Sequence, residues 1–433
     1  MSEITIAILG FVALFGLIGL RVPIAFAMGI VGLIGFALTV SLPAALVKLS
    51  SISFETISSY NIGVLPLFIL MAHVTFVSGM GQDLYNVAAK WLGHKRGGLA
   101  MATVGGCAGF AAVSASSIAT ASTMAAVSLP EMKKHNYDPS LATGSIAAGG
   151  TIGSLIPPSG MLIVLGLLTE MSITKLFLAG LIPGILEAII YMLTIYILCV
   201  FRPNLGPRGK RHSWGERFAS LSTTSEIIIL LGIVLGGMAL GWFTPTEAGA
   251  VGAFGAILIG FVRGKLTASL LKEALFDTLK TTGFIYAIFI GAIMMSAFIT
   301  VTGLPDTISN SVLAMNVSPI VVILIILAIY LVLGAVLDVI GMITLTIPIF
   351  FPIALALGFD GIWFAIIVVR AMEMAMITPP IGMNAYIVAG VAKDVSIGTV
   401  FKGIIPFLIA DIILIGLMIA FPEIITFLPK LMN

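Results

Sequence analysis

Apolar residues fill most of this chain in segments long enough to cross a bilayer, and short polar or basic stretches separate the segments. Crossing the hydrocarbon core takes about 20 apolar residues of helix, and a helix leaves no backbone group unpaired there. The pattern therefore predicts an all-α polytopic membrane protein. The first half is predicted to hold scaffold helices within 4–80, a hairpin over 99–130, a broken helix over 141–168 and a span over 176–201. The second half is predicted to hold scaffold helices within 226–302, a hairpin over 319–352, a broken helix over 361–392 and a last span over 403–421.

The same pattern divides the scaffold helices further. A more polar loop is expected over 48–60, and Lys272 and Lys280 are expected in a basic stretch outside the membrane. The individual spans are predicted over 4–20, 22–40, 61–80, 226–243, 246–262 and 282–302.

Composition supports this class. Hydrophobic residues make up 59% of the chain and charged residues 9%, against about 25% charged in soluble domains. A net charge of +2 gives no indication of nucleic-acid binding. The two cysteines, Cys107 and Cys199, lie in apolar stretches and indicate no disulfide framework. No basic region precedes the first apolar segment, so we expect a retained helix there and not a cleaved signal peptide.

Basic stretches predict the orientation of the chain. Those at 90–96 and 130–135 flank the first hairpin, which is therefore expected to enter and leave the membrane on one face. The linker at 202–225 is the only strongly hydrophilic stretch, and it is basic as well. Because basic loops stay in the cytoplasm, these stretches are expected inside and both termini outside.

Two double prolines interrupt apolar segments, Pro157–Pro158 in the first half and Pro379–Pro380 in the second. Proline lacks a backbone N–H and pushes the preceding residue out of helical geometry, so each pair predicts two half-helices around a break. The spacing is 379 − 157 = 222 residues, about half of the chain. Broken helices at corresponding positions of two halves are the best sequence indication of a transporter's binding site.

Other helix-breaking residues repeat at the spacing of 222. Since the first half is expected to start outside and the second inside, we predict inverted repeats over 1–201 and 226–433, joined by the cytoplasmic linker. The alternative is an accidental match of helix breakers. The further matching pairs are Gly19/Gly241, Pro23/Pro245, Pro130/Pro352, Gly160/Gly382 and Met161/Met383.

Hydroxyl residues mark the centre of the first hairpin. Four of them, Ser114, Ser116, Ser117 and Thr120, lie within seven residues and next to small side chains. Such a run suits tight helix packing, which is the alternative interpretation. Close to a Pro–Pro break, the hydroxyls also suit the coordination of a small cation, together with the carbonyls that the break frees.

In the second half, ionisable residues indicate a functional site more strongly than the hydroxyl residues do in the first half. Asp338 lies in the middle of an apolar run, opposite Ser116 at the spacing of 222. An ionisable residue inside the membrane is costly and so indicates function, although an aspartate can also cap a half-helix. Arg370 and Glu373 are three residues apart and can share a helical face. An internal ion pair between them is at least as good an interpretation as contact with substrate.

The sequence resembles the large membrane subunit of tripartite ATP-independent periplasmic (TRAP) transporters, the DctM-like family. The resemblance covers essentially the whole chain. Ala115 replaces the glycine usual in the family's Ser-Gly-Ser-Ser, and Arg370 stands where asparagine is common, which bears on substrate choice. The motifs that carry it are FAAVSASS at 110–117, GSLIPPS at 153–159, LTEMSI at 168–173, FLAGLIPG at 177–184, FTPTEA at 243–248 and the stretch 373–382.

The resemblance implies a sodium-driven importer in the cytoplasmic (inner) membrane of a bacterium or archaeon, with both termini periplasmic. It would receive a small organic acid from a periplasmic substrate-binding protein (DctP-like) and work with a small four-helix membrane subunit (DctQ-like). It would move the substrate by an elevator mechanism, in which a mobile domain made of the re-entrant hairpins and broken helices slides against a scaffold.

The resemblance also implies binding residues. A substrate would lie between the hairpin tips, near Ser117, Ser159 and Asp338, with Arg370 as a further candidate. A first sodium ion would bind Ser114, Ser116 and Ser117 with carbonyls from Gly153 to Pro157, and a second would bind near Gly334, Asp338, Gly341, Thr378 and Pro379.

The same residues also bear on other classes of membrane protein. An intramembrane hydrolase would need a nucleophile with a base, or paired aspartates. His73 is the only histidine expected inside a span, and Asp338 has no evident carboxylate partner besides Glu373, so we expect no enzyme. A proton-coupled transporter or a passive channel for organic anions stays open, although duplicated broken helices favour alternating access over a continuous pore.

Overall fold

A computed structural model describes residues 2–114, 116–314, 317–334 and 337–432, and the regular structure in these ranges is helical. The helices are α1 (Glu3–Gly19), α2 (Ile24–Thr39), α3 (Leu42–Ser58), α4 (Val64–Val77), α5 (Met80–Leu92), α6 (Gly98–Ser114), α7 (Ser117–Lys134), α8 (Pro139–Thr151), α9 (Gly160–Thr169), α10 (Ile173–Phe201), α11 (Trp214–Leu221), α12 (Ser225–Ala239), α13 (Pro245–Val262), α14 (Ala268–Val301), α15 (Leu304–Ala314), α16 (Pro319–Leu333), α17 (Val339–Ala356), α18 (Gly361–Ala375), α19 (Met383–Ala392), α20 (Ile397–Ala420) and α21 (Glu423–Lys430). The chain is thus an all-helical polytopic membrane protein, as predicted.

Several helices are long and apolar enough to span a membrane by themselves. Among the described residues these are α10, α13, α14, α17 and α20. Two bent pairs also have the necessary length and composition: α4 with α5, at 66°, and α11 with α12, at 51°. The remaining apolar helices are shorter than a full span, among them the two half-helices α9 and α19 that follow the Pro–Pro breaks.

Serine and threonine caps start the helices around the breaks. In α7, α9 and α10 the side chain of the residue before the helix accepts a hydrogen bond from a backbone N–H of the first turn, which has no partner within the helix. Thr267 does the same for α14. The local sequence thus fixes where each half-helix begins.

One local prediction was wrong, and one helix begins earlier than predicted. Residues 48–58 are not a polar loop but the greater part of α3, which Ser41 caps and Pro43 helps to start. The polar side chains are accommodated because they bond within the helix, as Ser53 does by donating to Leu49 O at 2.8 Å. Lys272 and Lys280 lie inside α14, which begins 14 residues before the predicted span at 282 (282 − 268 = 14). Their charges do not end the helix because a helix can run beyond the hydrocarbon into water.

Other elements were not predicted from the sequence. The linker at 202–225 contains α11, a short helix with a capping box between Ser213 and Glu216. α15 and α21 are amphipathic helices of 11 and 8 residues. Each is too short and too polar to appear as a span.

The broken segments are interrupted at the prolines. α8 is separated from α9 by a one-turn 3₁₀ helix and Pro157–Pro158, and α18 from α19 by Pro379–Pro380. Both Pro–Pro peptide bonds are cis. The predicted hairpins correspond to α6 with α7 and to α16 with α17, and the two helices of each pair pack against each other.

Close helix packing depends on small residues, as expected in a membrane. α8 and α20 cross at Gly144 and Gly403, where a Cβ on Gly403 would lie 1.8 Å from Ser140 O. α2 packs along α14, and α4 along α13. The hairpin helices α6 and α7 pack instead against α8, and α19 packs against α7.

Candidate functional site

The first hairpin is interrupted between α6 and α7, where three oxygens meet. Ser116 caps α7, since its Oγ accepts from the backbone N–H of Ala119 at 3.3 Å. Ser114 Oγ lies 2.7 Å from Thr120 Oγ1, and Thr120 donates to Ser116 O at 2.8 Å. Ser114 Oγ also lies 3.4 Å from the same carbonyl. Two hydroxyl oxygens and one carbonyl oxygen are therefore within hydrogen-bond distance of one another.

The first Pro–Pro break lies against these oxygens. A Cβ on Gly153 would stand 3.3 Å from Thr120 Oγ1 and 3.4 Å from Ser116 O, so the backbone of the break faces the hairpin directly. Pro157 follows in the same break and is buried. The structure thus brings Ser114, Ser116 and Gly153 together. Thr120 joins them, although it was not among the predicted ligands.

Ser117 connects the first hairpin to the second broken helix. Its Oγ donates to Glu373 Oε1 at 2.6 Å, across 256 residues of sequence, and both side chains are buried. Ser117 is therefore turned towards a carboxylate and not towards the three-oxygen cluster. The neighbouring serine, Ser154, is buried and donates to Thr151 O.

Unpaired buried polar atoms lie at the second break. Asn384, in the first turn of α19, is fully buried, and its Nδ2 and Oδ1 find no hydrogen-bond partner in the described parts of the chain. The same is true of Glu373 Oε2. Asn384 stays close to the end of α18, because its backbone N–H donates to Met376 O at 3.0 Å. Sequence reasoning missed Asn384, whose polar side chain in an apolar half-helix was the available signal.

In the second hairpin, Gly334 follows α16 and Asp338 precedes α17. Gly334 packs against α18, where a Cβ would lie 2.3 Å from Cβ of Ala375. Asp338 stands before the first residue of α17, and its Oδ1 lies 2.8 Å from the position of a Cβ on Gly341. It is half-buried and takes part in none of the ion pairs found between described residues.

The second Pro–Pro break differs from the first in its surroundings. Thr378 donates to Met374 O at 2.6 Å and is half-buried. Pro379 and Pro380 are exposed, whereas Pro157 and Pro158 are buried. Among the described residues, no hydrogen bond joins Thr378 to Asp338, and the second sodium site stays a prediction.

Arg370 belongs to a buried charge network, and the ion pair with Glu373, one of the two interpretations of the sequence, is not among the ion pairs of the described residues. Its Nη1 lies 3.0 Å from Glu187 Oε1, and its Nη2 pairs with Asp411 Oδ1. Tyr191 accepts from Arg370 Nη2 at 2.8 Å and donates to Asp411 at 2.5 Å. All four side chains are fully buried or nearly so.

The charge network holds the two broken helices together. Thr151, the last residue of α8, donates to Glu187 Oε1 at 2.9 Å, so the network includes α8, α10, α18 and α20. Arg370 turns away from Glu373 because two carboxylates on neighbouring helices face it. The prediction considered only partners on its own helix.

A cavity of about 360 Å³ lies beside the hairpin breaks. It is bounded by Ser114 and Ser116 of the first hairpin, by Gly160 at the start of α9, and by Ile340 at the start of α17. Three helices, α7, α9 and α17, thus begin at or next to its wall. His73 also lines it. Helix N-termini carry partial positive charge, which attracts anions.

A second cavity, of about 1100 Å³, lies towards the other ends of α9, α14 and α17. It is lined by Met171 after α9, Ser296 on α14 and Phe351 on α17. The first cavity touches the same three helices at earlier residues, such as Asp277 on α14. The two cavities therefore follow one another along a shared set of helices.

The four predicted substrate residues are distributed around this region. Ser159 is fully buried and caps α9, accepting from the backbone N–H of Leu162 at 3.4 Å. Ser159 and Asp338 each precede a helix whose first turn lines the smaller cavity. Ser117 comes directly after a residue that lines the smaller cavity, but its side chain bonds to Glu373. Arg370 is enclosed by carboxylates.

Nearly the whole chain matches one protein family. Residues 11–424 match the family model described as "Tripartite ATP-independent periplasmic transporter, DctM component". The chain is 34% identical over 396 residues to the C4-dicarboxylate TRAP transporter large permease protein DctM of Pseudomonas aeruginosa, covering 91% of this chain and 90% of that protein. It is 30% identical over 377 residues to the sialic acid TRAP transporter large permease protein SiaM of Vibrio cholerae, covering 87% of this chain and 87% of that protein.

Among solved structures, the chain resembles the YdaH transporter of Alcanivorax borkumensis. The TM-score is 0.62 at 15% sequence identity, over 88% of this chain and 89% of that one. At this level of identity the likeness concerns the fold alone.

Proposed function

The chain belongs to the family of DctM components of tripartite ATP-independent periplasmic transporters, whose members are large permease subunits and not enzymes, and we propose that it imports a small organic acid driven by the sodium gradient. The names of its relatives support this substrate class, since they specify C4-dicarboxylates, sialic acid, 2,3-diketo-L-gulonate and isethionate. Each of these is a small organic anion.

The observation that carries the proposal is the cavity of about 360 Å³ at the starts of α7, α9 and α17. Its volume falls within the range of about 300–1,000 Å³ typical of small-molecule sites. Half-helix N-termini at a break favour an anionic group of the substrate. A carboxylate at this position would accept hydrogen bonds from the free N–H groups near Ser117, Ser159 and Asp338.

Sodium coupling is supported by the oxygen cluster at the first break. Ser114 Oγ, Ser116 O and Thr120 Oγ1 lie together beside Gly153, and hydroxyl groups can rotate to present their lone pairs. Freed carbonyls near Pro157 would complete a shell of hard oxygen ligands. A second ion would bind near Asp338 with Gly334, Gly341, Thr378 and Pro379, where its charge would compensate the carboxylate.

The transport movement we propose is an elevator. Helices α6, α7, α8 and α19 pack among themselves, while α14 packs against both α2 and α4, and α4 packs against α13. The first group would move with substrate and sodium, and the second would stay fixed as the scaffold of two inverted repeats. The two cavities along α9, α14 and α17 would give the substrate access from the two sides of the membrane.

The family implies two partners, a small membrane subunit and a periplasmic binding protein. One relative, the isethionate permease DctMQ of Oleidesulfovibrio alaskensis, is 32% identical over 98% of this chain, which corresponds to 65% of that longer protein. We propose that a separate four-helix DctQ-like subunit binds this chain in the inner membrane, that a DctP-like protein delivers the substrate, and that both termini are periplasmic.

A proton-coupled mechanism is the second candidate, and one observation favours it. Three buried carboxylates, Glu187, Glu373 and Asp411, lie near a single buried cation, Arg370. Burying unpaired charge is costly, so at least one of these groups is a candidate to hold a proton. A passive channel has no comparable support.

Uptake into proteoliposomes tests the proposal. The chain would be reconstituted with its small subunit and binding protein, and radiolabelled organic acids would be offered under an inward sodium gradient, an inward proton gradient, or neither. We expect saturable uptake that requires sodium and both partners. Uptake driven by protons alone would favour the second candidate. Flux by this chain alone, without saturation, would indicate a channel and contradict the tripartite assignment.

A further inference from the structure

We propose that a basic cleft beside α10 binds the headgroup of an anionic phospholipid. The cleft has a volume of about 590 Å³. Lys95, Arg96 and Arg208 line one end, and Ile189, Leu193 and Tyr196 of α10 line its wall. It lies near the start of α6, whose Met101 also lines it, and contains no residue of the hairpin tips or of the Pro–Pro breaks. The proposal does not depend on the transport function.

Main-chain hydrogen bonds build the basic end. The backbone N–H of Gly97 donates to Gly206 O, and that of Gly209 donates to Gly93 O, each at 2.9 Å. The linker is therefore fixed to the loop between α5 and α6 over residues 206–209. This attachment brings Arg208 to Lys95 and Arg96, which are more than 100 residues away in sequence.

Glycines allow this close contact. Gly97 has a φ of +68°, and a Cβ on it would lie 2.8 Å from Cys199 Sγ at the end of α10. A Cβ on Gly206 would lie 2.8 Å from the Cα of Gly97. Tyr137 adds a side-chain link, because its hydroxyl accepts from the N–H of Leu99 and donates to Pro207 O, both at 3.0 Å. The arrangement of the cations is therefore a feature of the fold.

The three cations lack acidic partners. Lys95, Arg96 and Arg208 form no ion pair with any residue that the structure describes, and no acidic residue lines the cleft. The nearby His94 is held by Arg217, whose Nη2 lies 3.1 Å from its Nδ1. Partial burial and then the charges of Arg217 and Lys95 lower the pKa of His94. The cleft thus has an uncompensated positive charge.

The wall of the cleft is apolar and exposed, as contact with an acyl chain requires. Ile189, Leu193 and Tyr196 lie on one face of α10 at helical spacing and are 50%, 53% and 45% exposed. Their seven-residue separation corresponds to about 10 Å along the helix axis, running from the charged end towards the membrane interior. A cationic end with an apolar wall fits a lipid and not a soluble anion. The predicted cytoplasmic location agrees with this, since anionic lipids enrich that leaflet.

Native mass spectrometry of the purified full chain tests this proposal, with phosphatidylglycerol and phosphatidylcholine of identical acyl chains as probes. We expect phosphatidylglycerol to bind at least tenfold more tightly. Each cation removed should weaken its binding about fivefold, so the variant with Lys95→Gln, Arg96→Gln and Arg208→Gln should lose about a hundredfold. Lys402→Gln, which removes an exposed lysine outside the cleft, is the matched control and should bind normally.

Two further experiments distinguish a phospholipid from a soluble phosphate as the ligand of the cleft. Leu193→Trp should fill the groove and weaken phosphatidylglycerol binding while leaving the cations in place. Soluble glycerol 3-phosphate should not displace the lipid at equal concentration. Displacement by glycerol 3-phosphate, or equal binding of the two lipids by the unmodified chain, would overturn the proposal. If the triple variant fails to fold, Arg96→Gln alone decides: unchanged affinity would refute the assignment.

Discussion

Arg370→Met should be among the most destabilising single substitutions in this protein. The guanidinium is fully buried and contacts Glu187, Asp411 and Tyr191. Removing it leaves two carboxylates with no cation in the network. Breaking a buried pair by removing one partner typically costs about 3–5 kcal/mol, because the other charge remains buried and unpaired. The methionine also leaves Tyr191 without its donor, which adds to the loss.

The surface pair between Lys133 and Asp394 is a matched control. Its atoms lie 2.5 Å apart, but the two side chains are 43% and 66% exposed. Such pairs contribute roughly 0–1 kcal/mol, so Lys133→Met should change little. Both substitutions replace a paired cation by methionine, and the two pairs differ strongly in burial.

The assay is chemical unfolding in detergent micelles, followed by the fluorescence of the four tryptophans. We expect a loss of about 3–5 kcal/mol for Arg370→Met. The double variant with Glu187→Gln should recover part of it, because the two residues are in contact and their effects are not additive. A loss below about 1 kcal/mol, equal to that of Lys133→Met, would refute the assignment of Arg370 to a buried network.

Three other substitutions test the site. Asp338→Asn should abolish uptake while the protein stays folded, as judged by gel filtration, and normal transport by this variant would remove Asp338 from the site. Replacing Pro379–Pro380 by two alanines should let the helix close and weaken cation binding; an unchanged sodium affinity in a titration would count against coordination at that break. Ser117→Ala should lower stability by about 1–3 kcal/mol and reduce uptake, since it leaves buried Glu373 without its donor. The exposed Ser58→Ala is its control, and equal effects of the two would contradict a special role for Ser117.

Much of the helix arrangement could be predicted, because a membrane imposes a strong pattern on the sequence. Double prolines in apolar segments placed both breaks, and the hydroxyl run placed the first hairpin tip. α3 was missed over 48–58 because its polar residues bond within the helix, which a hydropathy pattern does not reveal. The short helices α15 and α21 gave too weak a signal.

The charge network shows which side-chain contacts could not be predicted from the sequence. Glu187 and Asp411 lie within the spans predicted over 176–201 and 403–421, so the rule that singled out Asp338 applied equally to them. What the sequence lacked was the packing of α10, α18 and α20 that turns Arg370 to these carboxylates. One of the two interpretations therefore gave Glu373 the wrong partner, and its contact with Ser117 over 256 residues had no local signal.

The most direct test of sodium coupling is the stability of the purified chain in sodium compared with potassium, at equal ionic strength. An ion that binds only the folded state stabilises it by RT ln(1 + [L]/Kd), about 2.7 kcal/mol at one hundred times Kd. We predict a sodium-specific rise in melting temperature that is smaller in Asp338→Asn and in Ser116→Ala. Equal melting temperatures in the two salts would contradict sodium binding at the hairpins and direct attention to the buried carboxylates as proton carriers.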